Sequence, residues 1–137
     1  MLDKLDNDFK FDQRALNLRA YRTEVLAGNM ANAETPYYKA VDFDFASAMK
    51  AQMNGNGGSG KALALVATDP RHFSTNPGDG SSNVPLQYRN AVQPSVDGNT
   101  VDMDVERGQF MDNALQYQST LTFLNNRISL LNTALKD

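Results

Sequence analysis

The fold of this chain is decided by residues 110–135, which read FMDNALQYQSTLTFLNNRISLLNTAL. Apolar residues recur there at alternating spacings of four and three, the a/d pattern of a helix that packs along one narrow seam. Asp102, Asp104 and Glu106 precede the pattern and complement the positive end of a helix dipole. We predict a helix over about residues 103–135, roughly 50 Å long. Its a/d seam comprises Phe110, Ala114, Tyr117, Leu121, Leu124, Ile128, Leu131 and Leu135.

A second helix is predicted at the other end, because residues 1–35 contain no proline and a single glycine. Pro36 should end this helix, since a proline excludes the preceding residue from the α region. Two apolar rows favour contact with more than one neighbouring helix, although a simple hairpin with the C-terminal helix remains the alternative. The rows are Leu2, Leu5, Phe9, Leu16, Ala20, Ala27 and Met30, and Phe11, Ala15, Leu18 and Val25.

The middle segment, residues 36–100, holds all five prolines and most of the glycine. Alternation in residues 41–45 predicts a short strand, and Phe45, Met49 and Met53 predict a short helix after it. Residues 54–60 have the composition of a linker, and further strands are predicted at 61–68 and near 86–88. The predicted fold is therefore mainly α. Long terminal helices (1–35 and 101–137) pack as a coiled-coil-like bundle around a small irregular and β middle segment.

The composition predicts neither an enzyme nor a cofactor-binding protein. Lys and Arg total 13 against 16 for Asp and Glu, so there is no basic footprint for nucleic acid. Cysteine is absent and His72 is the only histidine, which leaves no set of metal ligands or thiol nucleophile. The acidic stretch 97–106 does not fit a calcium loop, because Val101 stands at its fifth position. We expect no cofactor, no metal and no small-molecule substrate.

Three stretches resemble a known family. Residues 31–38 read ANAETPYY and resemble the Ala-Asn-x-x-Thr-Pro-Gly-Tyr motif of bacterial flagellar rod, hook and hook-associated proteins, with Ala31, Asn32, Thr35, Pro36 and Tyr38 at the matching positions. The stretches DFDFA (42–46) and DGNTVDMD (97–104) narrow the resemblance to proximal rod proteins. Tyr37 replaces the motif's glycine, so a positive φ at this position would strain the turn.

The resemblance implies a non-catalytic structural subunit of the proximal rod, located in the periplasm and exported by the flagellar type III apparatus. The N-terminus lacks an apolar stretch, so we expect no cleavable signal peptide. Implied partners are other rod proteins, the basal (MS) ring, the export gate and further copies of the chain. A cytosolic coiled-coil adaptor or export chaperone is the alternative.

In such rods the terminal helices form the inner tube by packing between subunits, and we expect them to fold only against neighbours. The expected interface residues are Leu2, Leu5, Phe9, Leu16, Leu18, Val25, Met30, Phe110, Tyr117, Leu121, Leu124, Ile128, Leu131 and Leu135.

Overall fold

The protein is seen in a computed structural model, which describes residues 1–54, 84–91, 93 and 95–136. The element order is α1 (Leu2–Ala31), β1 (Val41–Asp42), α2 (Phe45–Met53), β2 (Gln87–Tyr88) and α3 (Met103–Lys136). The prediction of a mainly helical fold with long terminal helices is confirmed. His72, the predicted strand at 61–68 and all but the first residue of the predicted linker lie outside the described residues.

Helices α1 and α3 form an antiparallel hairpin within the one chain, which is the simpler of the two packings that the sequence left open. Three contacts fix the direction: Asn29 with Glu106, Arg19 with Asn113, and Asp12 with Arg127. Helix α1 ends at Ala31 rather than at residue 35. The Asn32 side chain donates to the Gly28 carbonyl at 2.8 Å, and such a local bond competes with continuation of the helix.

The face that α3 turns toward α1 differs from the predicted seam. The d positions Phe110, Tyr117, Leu124 and Leu131 are half-buried as expected, but the a positions Ala114, Ile128 and Leu135 are exposed. The g positions take their place, with Glu106 and Asn113 fully buried. The cause is hydrogen bonding, because the side chains of Glu106, Asn113 and Arg127 each bond to α1. These polar contacts turn the g positions of α3 toward α1, and the spacing of apolar residues does not reveal them.

The apolar core lies where α2 and the two-stranded sheet cover α1. Leu18 and Val25 of α1 pack with Phe43 and Met49, and the rings of Tyr21 and Phe43 stack at 5.5 Å. Asp44 caps α2 by accepting a hydrogen bond from the Ala46 amide at 3.2 Å. The strands pair antiparallel, with Val41 opposite Tyr88 and Asp42 opposite Gln87. This pairing carries the residue after β2, Arg89, to the start of α3.

Candidate assembly site

The turn after α1 carries the motif residues and contains the one strained residue of the described backbone. Tyr37 has φ of 61°, the left-handed conformation that costs a non-glycine residue about 1–2 kcal/mol. Its side chain is 81% exposed. Gly98 faces it with φ of 74°, and a Cβ at position 98 would lie 3.0 Å from Tyr37 Cδ1. The position at which the motif has glycine therefore has a positive φ in this chain, and Tyr37 bears the backbone strain that was expected for such a conformation.

Asn99 is the residue that holds this turn against the start of α3. Its side chain is buried, and Nδ2 lies 3.0, 2.9 and 2.8 Å from the carbonyl oxygens of Asn32, Ala33 and Thr35. These carbonyls follow the end of α1, and the Asn32 and Thr35 oxygens also accept backbone hydrogen bonds from the Thr35 and Tyr38 amides at 3.1 and 3.3 Å. Sequence reasoning missed this role of Asn99. No local sequence signal points to it, because its acceptors are backbone carbonyls more than sixty positions away along the chain.

Backbone contacts join the same two segments. The Tyr37 amide donates to the Asp97 carbonyl at 3.0 Å, and the Thr100 amide donates to the Tyr38 carbonyl at 3.0 Å. The Ala40 amide donates to Thr100 Oγ1 at 2.8 Å. The motif near residue 35 and the acidic stretch near residue 100 are thus one structural unit, although about sixty positions separate them in sequence.

A network of four charged side chains lies beneath this unit. Arg89 contacts both Glu106 and Asp42, and Arg22 binds Asp42 at 3.1 Å and Gln109 at 2.9 Å. Burial would raise the pKa of Asp42, but hydrogen bonds from Arg22, the Phe43 amide and Arg89 outweigh it, so the pKa lies below its usual range. Burial raises the pKa of Glu106, and the charge of Arg89 offsets this only in part. Two cations and two carboxylates bind α1, β1, β2 and α3 together.

Asn29 completes the network with hydrogen bonds on both sides of its amide. Its Nδ2 donates to the Val41 carbonyl at 2.7 Å and to Glu106 at 3.3 Å. Its Oδ1 accepts from the Val41 amide at 3.0 Å and from the Tyr38 hydroxyl at 3.2 Å. Asn29 is fully buried and every hydrogen-bonding group of its side chain has a partner. It therefore links α1 to β1 and to α3.

The residues expected at a subunit interface fall into three groups by exposure. Leu18 and Val25 are buried in the core of their own chain, so a second subunit cannot reach them while the hairpin is closed. The half-buried group lies along the hairpin: Leu5, Phe9, Leu16, Met30, Phe110, Tyr117, Leu121, Leu124 and Leu131. The exposed group comprises Leu2, Ile128 and Leu135.

Four apolar side chains that the sequence did not single out lie on the outer face of α3. We call Met111, Leu115, Phe123 and Leu130 the outer patch; their side chains are 65–71% exposed. At 3.6 residues per turn, Met111 and Leu115 lie about 160° around α3 from the buried Asn113, whereas Phe123 and Leu130 lie about 80° and 100° from it, so the outer patch spans more than one side of the exposed helix surface. Within residues 113–135 the only charged side chain is Arg127, which pairs with Asp12 at 2.9 Å. The exposed surface of α3 therefore carries apolar and uncharged polar side chains over most of its length.

Clusters of metal-ligating side chains and membrane-spanning helices are both absent from the described part of the chain. No group of three or more His, Cys, Asp or Glu side chains is arranged there to hold a metal ion. None of the described helices is long and apolar enough to cross a membrane. The features that remain are the joined motifs, the buried polar network and the outer patch.

Comparison with known proteins gives consistent full-length relatives. The chain is 52% identical over 132 residues to the flagellar basal body rod protein FlgB of Escherichia coli K12, covering 93% of this chain and 92% of the relative. It is 47% identical over 137 residues to FlgB of Proteus mirabilis HI4320, covering 99% and 98%. It is 41% identical to FlgB of Aeromonas hydrophila, again covering 99% and 98%. No protein-family model matches the chain.

Proposed function

The chain belongs to the FlgB family of flagellar basal body rod proteins, and from this membership we propose that it is a structural, non-enzymatic subunit of the proximal rod. In this proposal the α1–α3 hairpin packs beside other rod proteins in the periplasm. The assembled subunits transmit torque and enclose the conduit for export. The basal ring and the export gate are the neighbours proposed at the inner end of the rod, and the flagellar export apparatus delivers the chain.

The observation that carries this proposal is the outer patch on α3. Complete burial of a large apolar side chain contributes about 1.5–3 kcal/mol, so four that are two-thirds exposed leave about 4–8 kcal/mol unused in the single chain. A neighbouring helix that covered these side chains in an assembly would remove this apolar surface from water. The lack of unpaired charge on this face allows another helix to cover it without burying an ion.

The proposed interface therefore differs in position from the a/d seam. Leu124 and its d-position neighbours are half-buried within the single chain, so a charge at Leu124 would disturb the hairpin itself as well as any contact between subunits. We propose that the outer patch and the exposed residues Leu2, Ile128 and Leu135 make the contacts between subunits. Leu18 and Val25 serve the fold of the single chain.

Replacement of Phe123 by aspartate tests the proposal. In cells that lack the native gene, Phe123→Asp should abolish swimming and remove the rod from isolated basal bodies, because it places a charge in a packed contact. Phe123→Leu is the matched control and should support swimming, since it keeps an apolar side chain at the same position. Helical circular dichroism of both purified variants should equal that of the parent, because Phe123 is exposed. Normal rods built from Phe123→Asp would refute the proposed interface.

Fractionation of the same cells tests the adaptor or chaperone alternative. A rod subunit is recovered with basal bodies, whereas an adaptor or chaperone stays in the cytosol. Membership of a family of rod proteins favours the first outcome. Recovery of the chain only in the cytosol of swimming cells would favour the alternative.

A further inference from the structure

The buried carboxylate of Glu106 receives its counter-charge from outside the two helices between which it lies. Its side chain is fully buried, and each carboxylate oxygen has one side-chain partner. Asn29 Nδ2 of α1 donates to Oε2 at 3.3 Å, and Arg89 Nη1 donates to Oε1. Because Asn29 is neutral, Arg89 is the only cation among the described residues that contacts this carboxylate. The burial of Glu106 between α1 and α3 therefore relies on a residue of the middle segment.

Arg89 is placed beside Glu106 by the pairing of β2 with β1. It follows β2 directly, and its amide donates to the Ala40 carbonyl at 2.8 Å, which extends the pairing by one residue. Its Nη2 also donates to Asp42 of β1 at 2.7 Å, so both arms of the guanidinium are held. Among the described elements the backbone of β2 lies next to β1 alone. The Arg89 side chain is therefore the link between this strand and α3.

The two carboxylates that share Arg89 depend on it to different degrees. Asp42 would keep its ion pair with Arg22 at 3.1 Å if Arg89 moved away. Glu106 would keep only the neutral Asn29 amide. Removal of one partner from a buried ion pair is strongly destabilising, because the remaining charge stays out of water without compensation. Loss of Arg89 therefore acts on α3 far more than on β1.

We propose that Arg89 makes the pairing of α3 with α1 conditional on the docking of β2. While β2 is paired with β1, the guanidinium compensates Glu106, and the carboxylate can be buried beside Asn29. When β2 leaves β1, Glu106 is buried without a cation, and the contact between the two helices becomes unfavourable at this point. Binding of a partner that displaces residues 84–89 would thereby weaken the pairing of the helices, and pairing of the helices in turn favours docking of β2. The inference concerns the single chain and does not depend on the rod function proposed above.

The sign of the effect of Glu106→Gln tests this dependence. In the parent chain Glu106→Gln should lower the folding equilibrium constant, measured in urea, by less than about tenfold, because glutamine still binds Asn29. Arg89→Met alone should lower the constant at least about a hundredfold, and adding Glu106→Gln to it should raise the constant at least about tenfold, since an uncompensated buried charge is removed. If Glu106→Gln lowers the constant in both chains by the same factor, Arg89 does not compensate Glu106 and the proposal is overturned.

Arg107→Met is the matched control, because Arg107 is an exposed arginine beside Glu106 in the sequence. It should change the folding equilibrium constant less than about threefold, and Glu106→Gln should still lower the constant in its presence. A reversal of sign with Arg107→Met as well would overturn the proposal. If Arg89→Met alone does not fold, the chain that also carries Glu106→Gln should recover the helical circular dichroism of the parent. Failure of this double variant to fold would likewise overturn the proposal, since no uncompensated carboxylate remains at position 106.

Gln87→Pro tests the role of β2 without altering either charged residue. The bond from the Arg89 amide to Ala40 makes Gln87, opposite Asp42, the next hydrogen-bonded position of the ladder, so proline at position 87 removes a ladder bond. In this chain Glu106→Gln should raise the folding equilibrium constant at least about threefold. Gln87→Ala keeps the amide and is the matched control, in which Glu106→Gln should lower the constant as in the parent. If Glu106→Gln lowers the constant equally in the proline and alanine chains, the burial of Glu106 does not depend on β2, which would overturn the proposal.

Discussion

Replacement of Tyr37 by glycine should stabilise the chain, although it deletes an aromatic side chain. Tyr37 has φ of 61°, and relief of this conformation returns about 1–2 kcal/mol. Glycine adds freedom to the unfolded chain, which costs about 0.5–1 kcal/mol. The Tyr37 ring is 81% exposed, so its removal sacrifices little buried surface. The expected net gain is about 0.5–1 kcal/mol, or an increase of about 2–4 °C in the melting temperature.

Thermal and urea unfolding, followed by circular dichroism, measure this gain. Tyr37→Ala is the control, because it removes the same ring but keeps the Cβ that makes the left-handed conformation costly. The glycine variant should exceed the alanine variant in unfolding free energy by about 1 kcal/mol. If Tyr37→Gly is no more stable than Tyr37→Ala, the turn is not strained and the structural reading of this position is refuted.

Two further predictions concern the buried polar side chains. Asn29 and Asn113 are both fully buried, but Asn29→Ala should cost about 2–4 kcal/mol of unfolding free energy because it leaves Val41 N–H and C=O unpaired. Asn113→Ala should cost less than about 1 kcal/mol of unfolding free energy, measured in urea. The reason is that Asn113 Oδ1 has no partner, and the Arg19 carbonyl and Thr23 hydroxyl that Nδ2 binds already bind each other. Equal costs of the two substitutions would contradict this reasoning. Because the pKa of Asp42 is lowered in the folded chain, its stabilisation is present above the usual value of 3.8 and is lost as pH falls through the folded value. The raised pKa of Glu106 has the opposite effect, because it favours the folded chain as pH falls. Since Asp42 causes the loss of stability at acid pH, Asp42→Asn should flatten the acid side of a plot of urea midpoint against pH, and an unchanged acid side would refute the role of Asp42.

The sequence predicts the helices well because their signals are local. Apolar spacing and the acidic first turn give α3, and the run of Phe45, Met49 and Met53 gives α2. The two short strands are also predicted, at 41–45 and near 86–88, although each is only two residues long in the structure. Pro36 indicates a helix end at residue 35, but the Asn32 side chain ends α1 at Ala31.

The rotation of α3 and the joining of the two motifs could not be predicted in this way. Both depend on polar side chains that find partners far along the chain, such as Asn99 with the carbonyls after α1 and Asn113 with Arg19. Apolar periodicity ranks Glu106 and Asn113 as solvent-facing, whereas satisfied hydrogen bonds allow them to be fully buried. The outer patch could not be identified from the sequence either, because the side of α3 that faces α1 must be known before its exposed side chains can be assigned.

The most direct test of the account is chemical labelling at position 123 in intact basal bodies. The chain contains no cysteine, so Phe123→Cys introduces a unique thiol on the outer face of α3. A bulky maleimide should label this thiol in the free chain and in denatured basal bodies, but not in native ones, because a neighbouring subunit covers the patch. Equal labelling of native basal bodies and of the free chain would show that the outer patch stays exposed in the rod, and would contradict the proposed mode of assembly.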